Sequence, residues 1–142
     1  MSKFLLKILS VTHWTDTLFS FQIERPKDFK FKSGEFVMIG LPNNDKPILR
    51  AYSICSPSWD EKLEFYSIIV ENGPLTSKLK NIKINDEIIL MSKSTGTLIL
   101  DALKPGKRLF LFSTGTGFAP FSSIIRDPET YGKFEKIIVT HT

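Results

Sequence analysis

The feature that most limits how this chain can fold is a change of rhythm at Pro105-Gly106. Before it, short apolar runs alternate with polar residues and end at turn residues, the mark of half-exposed strands. After it, KRLFLF and KIIVTHT are continuous apolar runs of the kind buried in parallel sheets, and STGTG and the helical FAPFSSIIRD separate them. The order strand, glycine turn, helix, strand is one βαβ unit. The chain therefore reads as an antiparallel barrel or sandwich followed by the opening of an α/β unit. Two parallel strands with one helix leave a sheet face and both edges bare, so we expect the sequence to be a piece of a longer protein.

The first part divides into strands in sequence order. Phe4 to Val11 and Thr17 to Glu24 suit a hairpin turning through Trp14 and Asp16, with Phe19, Phe21 and Ile23 on one face of the second strand. Pro26 to Ser33 reads as a charged connection. Gly34 opens a third strand, EFVMIGLP, which stops at Pro42, and Asn43, Asn44 and Asp45 form a turn. PILRAYSICSP is the fourth strand. KLEFYSIIVE is the fifth, with Leu63, Phe65, Ser67 and Ile69 alternating against Glu64, Tyr66, Ile68 and Val70. GPLTSKLKNI then places Pro74 at the favoured first position of a helix about two turns long, with Leu75, Leu79 and Ile82 at helical spacing. EIILMS is the sixth strand.

The fourth strand carries the most suggestive chemistry. Residues two apart on a strand share a face, roughly 6.6 Å apart. Arg50, Tyr52 and Ile54 thus point one way and Ala51, Ser53 and Cys55 the other, the small set suiting the inside of a tightly curved barrel. A guanidinium grips phosphate through paired hydrogen bonds, and a tyrosine ring can stack on a planar heterocycle. The pair suits a ligand with an aromatic head and a phosphate tail. It equally suits an edge strand with Arg50 in a surface ion pair and Tyr52 half buried.

Two glycine-led helix starts present backbone amides and a positive dipole end to an anion. At Gly73-Pro74 the amides of Leu75 and Thr76 and the Thr76 hydroxyl are expected to be free for a phosphate, although a helix can simply begin with Gly-Pro. Thr114-Gly115-Thr116-Gly117 has the flanking strand and helix that a dinucleotide loop requires, but Pro120 stands where the third glycine of the fingerprint belongs.

Other classes find little support. The formal charge of +4, from 19 basic and 15 acidic residues, is spread out, unlike an oligonucleotide-binding footprint. A single cysteine excludes an internal disulfide, and Cys55 reads as an inert core residue. His13 and His141 lack partners at metal-ligand spacing, and no nucleophile, base and acid set assembles for hydrolysis. Lys7 interrupts the apolar run of MSKFLLKILSV, so the N-terminus reads as a strand of a cytoplasmic protein rather than a signal peptide.

Together, RAYS at Arg50 to Ser53, the stretch from Tyr66 to Thr76, STGTGFAPF and RDPETY resemble the bacterial ferredoxin (flavodoxin)-NADP reductases. That resemblance implies a mainly β fold: a six-stranded antiparallel Greek-key barrel binding FAD over residues 1–101, with a short helix. The first βαβ unit of a Rossmann-like NAD(P)-binding domain would follow over residues 107–142. It implies that Arg50 contacts the FAD pyrophosphate, Tyr52 packs on the isoalloxazine, Ala51 is a further cofactor-binding residue, and Ser53 lies near the reactive flavin nitrogen as the catalytic candidate, turned there by a bulge or strand end. Tyr66 matches a further flavin contact, Pro74, Leu75 and Thr76 the pyrophosphate loop, and Thr116 a residue on the nicotinamide side. Thr114, Gly115 and Gly117 are the NADP-binding candidates. The implied enzyme passes hydride from NADPH to FAD and single electrons to ferredoxin or flavodoxin. A reductase component of an oxygenase using NADH, and a non-catalytic flavin-binding module, are the alternatives.

Overall fold

The structure, a computed structural model, describes residues 2–42 and 45–142. The turn expected at Asn43, Asn44 and Asp45 therefore lies mostly outside the described residues. Six strands form one antiparallel sheet: β1 (Lys3–His13), β2 (Leu18–Glu24), β3 (Phe36–Gly40), β4 (Leu49–Ser53), β5 (Lys62–Ile68) and β6 (Glu87–Met91). Their order across the sheet is β4-β3-β6-β1-β2-β5. The sheet curls until its two edge strands meet. Tyr52 Oη and Ser67 Oγ lie 3.0 Å apart, Cys55 N donates to Glu64 O at 2.8 Å, and Glu64 N donates to Ser56 Oγ at 3.1 Å. The expected six-stranded near-barrel is thus present, closed by a short seam between β4 and β5.

Alternation decides what fills it. Phe19, Phe21 and Ile23 of β2, Leu63 and Phe65 of β5, Val37 and Ile39 of β3, and Ile88 and Leu90 of β6 are each 1% exposed or less. Burying a side chain of this size contributes about 2 kcal/mol. The hairpin turns as expected, with Thr15 Oγ1 accepting from the amides of Thr17 and Leu18. The connection after β2 does more than its charge suggested, because Phe29 and Phe31 drop into the same core. Arg25 covers them from outside, its guanidinium 4.7 Å from the Phe31 ring centre and bonded to the carbonyls of Phe29, Ser58 and Asp60.

Two expectations need correction. The helix after Gly73 is a single turn, α1 (Thr76–Leu79), and Pro74 precedes it. Its spacing was read correctly, since Leu75, Leu79 and Ile82 are all buried. The helix is short because the chain then tightens, Asn81 and Ile82 bonding back to Lys78 and Leu79 three residues earlier. The face assignment in β4 is also reversed. Cross-strand partners share a face, and Tyr52 and Arg50 stand opposite the buried Val37 and Ile39, whereas Ala51 stands opposite Met38. Ala51 is exposed and Ser53 half-buried, so of the small set only Cys55 is interior. The physical reason is the strand's position. At Ser53 it leaves β3, and the chain crosses to β5, which makes Ile54 and Cys55 interior and leaves Ala51 and Ser53 on the outer side of the seam.

Beyond the barrel, a turn of 3-10 helix at Leu100–Ala102 leads into β7 (Gly106–Ser113), a glycine turn at Gly115–Gly117, α2 (Phe118–Ile125), α3 (Pro128–Lys133) and β8 (Phe134–His141). β7 and β8 are parallel, as the apolar runs required. Leu109 and Leu111 meet Ile124 and Phe134 under the helices, while Phe110 and Phe112 stack on each other on the opposite face, 50% and 70% exposed. Pro120 fits within the first turn of α2, where a missing N–H costs no helical bond. The helix α3 was not expected. Asp127 caps it by accepting from Glu129 N at 3.0 Å, and Pro128 occupies its first turn.

Candidate functional site

An open cavity of about 440 Å³ lies over the β4–β5 seam. All four residues of the RAYS stretch line it, joined by Tyr66 on β5, by Pro74, Leu75 and Thr76 before and at α1, and by Thr116 and Ala119 from the glycine turn and α2. Residues from four separate segments of the sequence thus converge on one space.

Arg50 stands exposed at one end of the cavity. Its Nη1 donates to the carbonyl of Leu49 at 3.0 Å, and among the described residues no carboxylate reaches ion-pair distance of it. Tyr52 is half-buried, its ring edge-on to Phe65 and its hydroxyl shared with Ser67. Burial pushes its phenol above the ordinary value, partly offset by the Ser67 bond and the nearby Arg50 charge. Tyr66 is shifted the same way, again chiefly by burial. Both rings therefore stay neutral through the physiological range. Ser53 ends β4 opposite Phe36. Cys55, just beyond it, is fully buried, and burial raises its thiol far above the reactive range.

At the α1 end, the backbone is shaped for a close approach. Asn72 has φ 61°, and a Cβ on Gly73 would lie 2.5 Å from Thr76 Oγ1. The Thr76 hydroxyl is not free, contrary to expectation, because it accepts from Val70 N at 3.2 Å and returns a bond to Val70 O. It folds the loop instead. Among the described residues the amides of Leu75 and Thr76 have no protein acceptor, so they remain available to an anion.

The glycine turn divides the remaining candidates. Thr116 reaches the cavity. Gly115, at φ 53°, faces a smaller apolar cleft of about 210 Å³ shared with Trp14, Tyr66, Phe118 and His141. Neither Thr114 nor Gly117 lines either space. His141 Nε2 lies 3.0 Å from Gly115 O, holding the turn to the end of β8. Phe118 was not foreseen. Its ring stacks on Tyr66 with centroids 6.5 Å apart at 16°; Tyr66 lines both the cavity and the cleft, and Phe118 lines the cleft.

Known proteins resemble this chain in sequence and in fold. Residues 5–100 match the family model of the oxidoreductase FAD-binding domain. The chain is 62% identical over 135 residues to a flavodoxin/ferredoxin–NADP reductase of Rhodobacter capsulatus, covering 94% of this chain and 50% of that protein. It is 56% identical to a ferredoxin–NADP reductase of Pseudomonas aeruginosa, covering 95% of this chain and 52% of that one. A crystal structure of a Neisseria gonorrhoeae ferredoxin NADP+ reductase with bound FAD and NADP superposes with a TM-score of 0.95 at 33% identity, over 99% of this chain and 57% of that one. The chain spans about half the length of the curated relatives it matches. It belongs to the oxidoreductase FAD-binding domain family, as represented in the bacterial ferredoxin–NADP reductases.

Proposed function

We propose that this chain carries the flavin seat of a ferredoxin (flavodoxin)–NADP reductase, an enzyme that takes hydride from NADPH onto FAD and passes single electrons to ferredoxin or flavodoxin. The observation that carries the reading is the convergence of Arg50–Ser53, Tyr66, Pro74–Thr76 and Thr116 on one cavity. Its volume falls among those of small-molecule sites. Its chemistry fits FAD: a guanidinium with no ion-pair partner among the described residues and free amides for a pyrophosphate, with neutral aromatic rings for a planar head. Among the described residues no carboxylate lines it, which suits a cofactor rather than an acid–base hydrolytic reaction.

In this reading Arg50 and the amides of Leu75 and Thr76 hold the pyrophosphate, and Thr76 acts by folding the loop. Tyr52 packs on the isoalloxazine beside Ala51, and Ser53 offers its hydroxyl to the reactive ring nitrogen. Tyr66 supplies a further wall, and Thr116 approaches from the nicotinamide side, where Gly115 and its neighbours Thr114 and Gly117 leave room for NADP. When bound, the flavin supplies the change from two-electron to one-electron transfer, and the protein orients it and tunes its potential. Residues 1–101 would form the FAD-binding domain and residues 107–142 the start of the NAD(P)-binding one. The surplus of positive charge suits an acidic electron acceptor such as ferredoxin or flavodoxin, in a cytoplasmic setting.

Reconstitution tests this directly. The purified chain should retain one FAD through gel filtration and show the yellow colour of bound flavin. A folded chain that passes through the column without flavin would overturn the reading.

A further inference from the structure

Helix α2 touches the cavity with one end and the barrel seam with the other. Its first turn sets Phe118 on Tyr66 and Ala119 against the cavity. Just past its last turn, Arg126 Nη2 donates to Cys55 O at 2.5 Å and to Ser122 Oγ at 2.8 Å, and Nε donates to Ser122 O at 3.0 Å. Glu64 Oε1 lies 3.6 Å away. One turn back toward the cavity, Ser123 Oγ donates to Ser56 O at 2.8 Å. Both accepting carbonyls belong to the crossing that follows Ser53. The amide of Cys55 bonds to Glu64 O on β5, so one guanidinium meets the helix, the crossing and the strand that carries Tyr66.

This contact suits arginine in particular. Its planar fork reaches several acceptors in fixed directions, which a single ammonium on a flexible stem cannot reproduce. Cys55 is fully buried, so its carbonyl depends on a protein donor rather than water. The helix between the two contacts is rigid, and a shift at Arg126 is therefore carried to Phe118 and Thr116.

We infer that Arg126 is a positioning residue: by tying the end of α2 to the Cys55 carbonyl, it sets the gap across the cavity between Tyr52 and Ser53 on the barrel and Thr116 and Ala119 on the second unit. A bond of purely structural value would add stability without governing that gap. The consequence for cofactor affinity rests on the flavin reading, whereas the geometric claim does not.

The test compares isotope-labelled full chain with Arg126→Lys and Arg126→Gln, reading ring-to-ring nuclear Overhauser contacts between Tyr66 and Phe118, amide shifts at Ser53 and Thr116, and FAD affinity. Both variants should weaken the ring contact, move both amides and raise the FAD Kd about tenfold, the scale of one charge-assisted hydrogen bond. Ring contacts and amide shifts that match the wild type, in variants that only melt earlier, would overturn the inference. Should neither variant fold, Glu64→Gln, which removes the charge beside the guanidinium, should move the same signals in the same direction by less. Unmoved signals there would overturn it too. If the wild type takes up no FAD, the flavin reading fails, and the ring contacts still decide the role of Arg126.

Discussion

Ser33 Oγ donates to Asp127 Oδ2 at 2.7 Å in a buried contact between the loop before β3 and the start of α3. The other oxygen of Asp127 caps α3, and the Ser33 hydroxyl in turn accepts from Ser58 N at 3.0 Å. One carboxylate therefore starts a helix and fastens it to the barrel. Asp127→Ala removes a cap and leaves the Ser33 donor without its partner, and should cost about 2 kcal/mol. Urea unfolding should show a lower midpoint at an unchanged slope.

Gly34 is held where a side chain has no room. At φ 102°, a Cβ there would lie 1.8 Å from the Leu98 carbonyl oxygen and 3.3 Å from Ile124. Gly34→Ala should destabilise the chain by at least about 2 kcal/mol, because backbone rather than a movable side chain must yield. Thermal melting of the variant beside the wild type checks this.

The secondary structure was largely legible, because β2 and β5 alternate cleanly and the runs of β7 and β8 do not. The side of β4 that faces inward was not legible. Period two assigns Arg50 and Tyr52 to one face and Ala51 and Ser53 to the other, but which face is interior depends on pairing with Val37 and Ile39 in a distant segment. Ala51 is exposed and Ser53 half-buried, so these small side chains do not fill a tight interior. The signal for α3 lies in Asp127-Pro128-Glu129, a cap, a first-turn proline and an acidic residue, but the helix it starts is only six residues long. Phe118 and Arg126 were beyond local reasoning. Their partners Tyr66 and Cys55 are far away along the chain, and no spacing rule links them.

Alkaline pH should loosen the seam. The Tyr52 and Tyr66 phenols are raised above 10.0 in the folded chain, chiefly by burial, so the folded state holds protons that the unfolded state releases. Stability is then fully present below about pH 10 and falls as the pH rises through the folded values. Tyr52→Phe should cost about 1 kcal/mol at neutral pH by leaving the buried Ser67 hydroxyl without its partner, and should flatten the alkaline decline. Urea midpoints measured from neutral to alkaline pH for both chains separate the two effects.

The stack of Tyr66 on Phe118 joins the barrel to α2 at the rim of the cavity. Phe118→Ala should lower stability by about 1 kcal/mol, the scale of an aromatic pair, and should merge the cavity with the cleft beside Gly115. Denaturant unfolding gives the first effect. A faster dissociation of bound FAD, followed by flavin fluorescence, gives the second.

The claim that the β4–β5 seam seats the flavin is tested most directly by titrating FAD into the wild type and Arg50→Gln. Arg50 is exposed, with a single bond to its neighbour's carbonyl, so its replacement should leave melting unchanged. The wild type should bind one FAD and the variant should bind it about tenfold more weakly or worse, the loss of a charge-assisted phosphate contact. Equal affinity in the two chains would contradict this placement of the flavin.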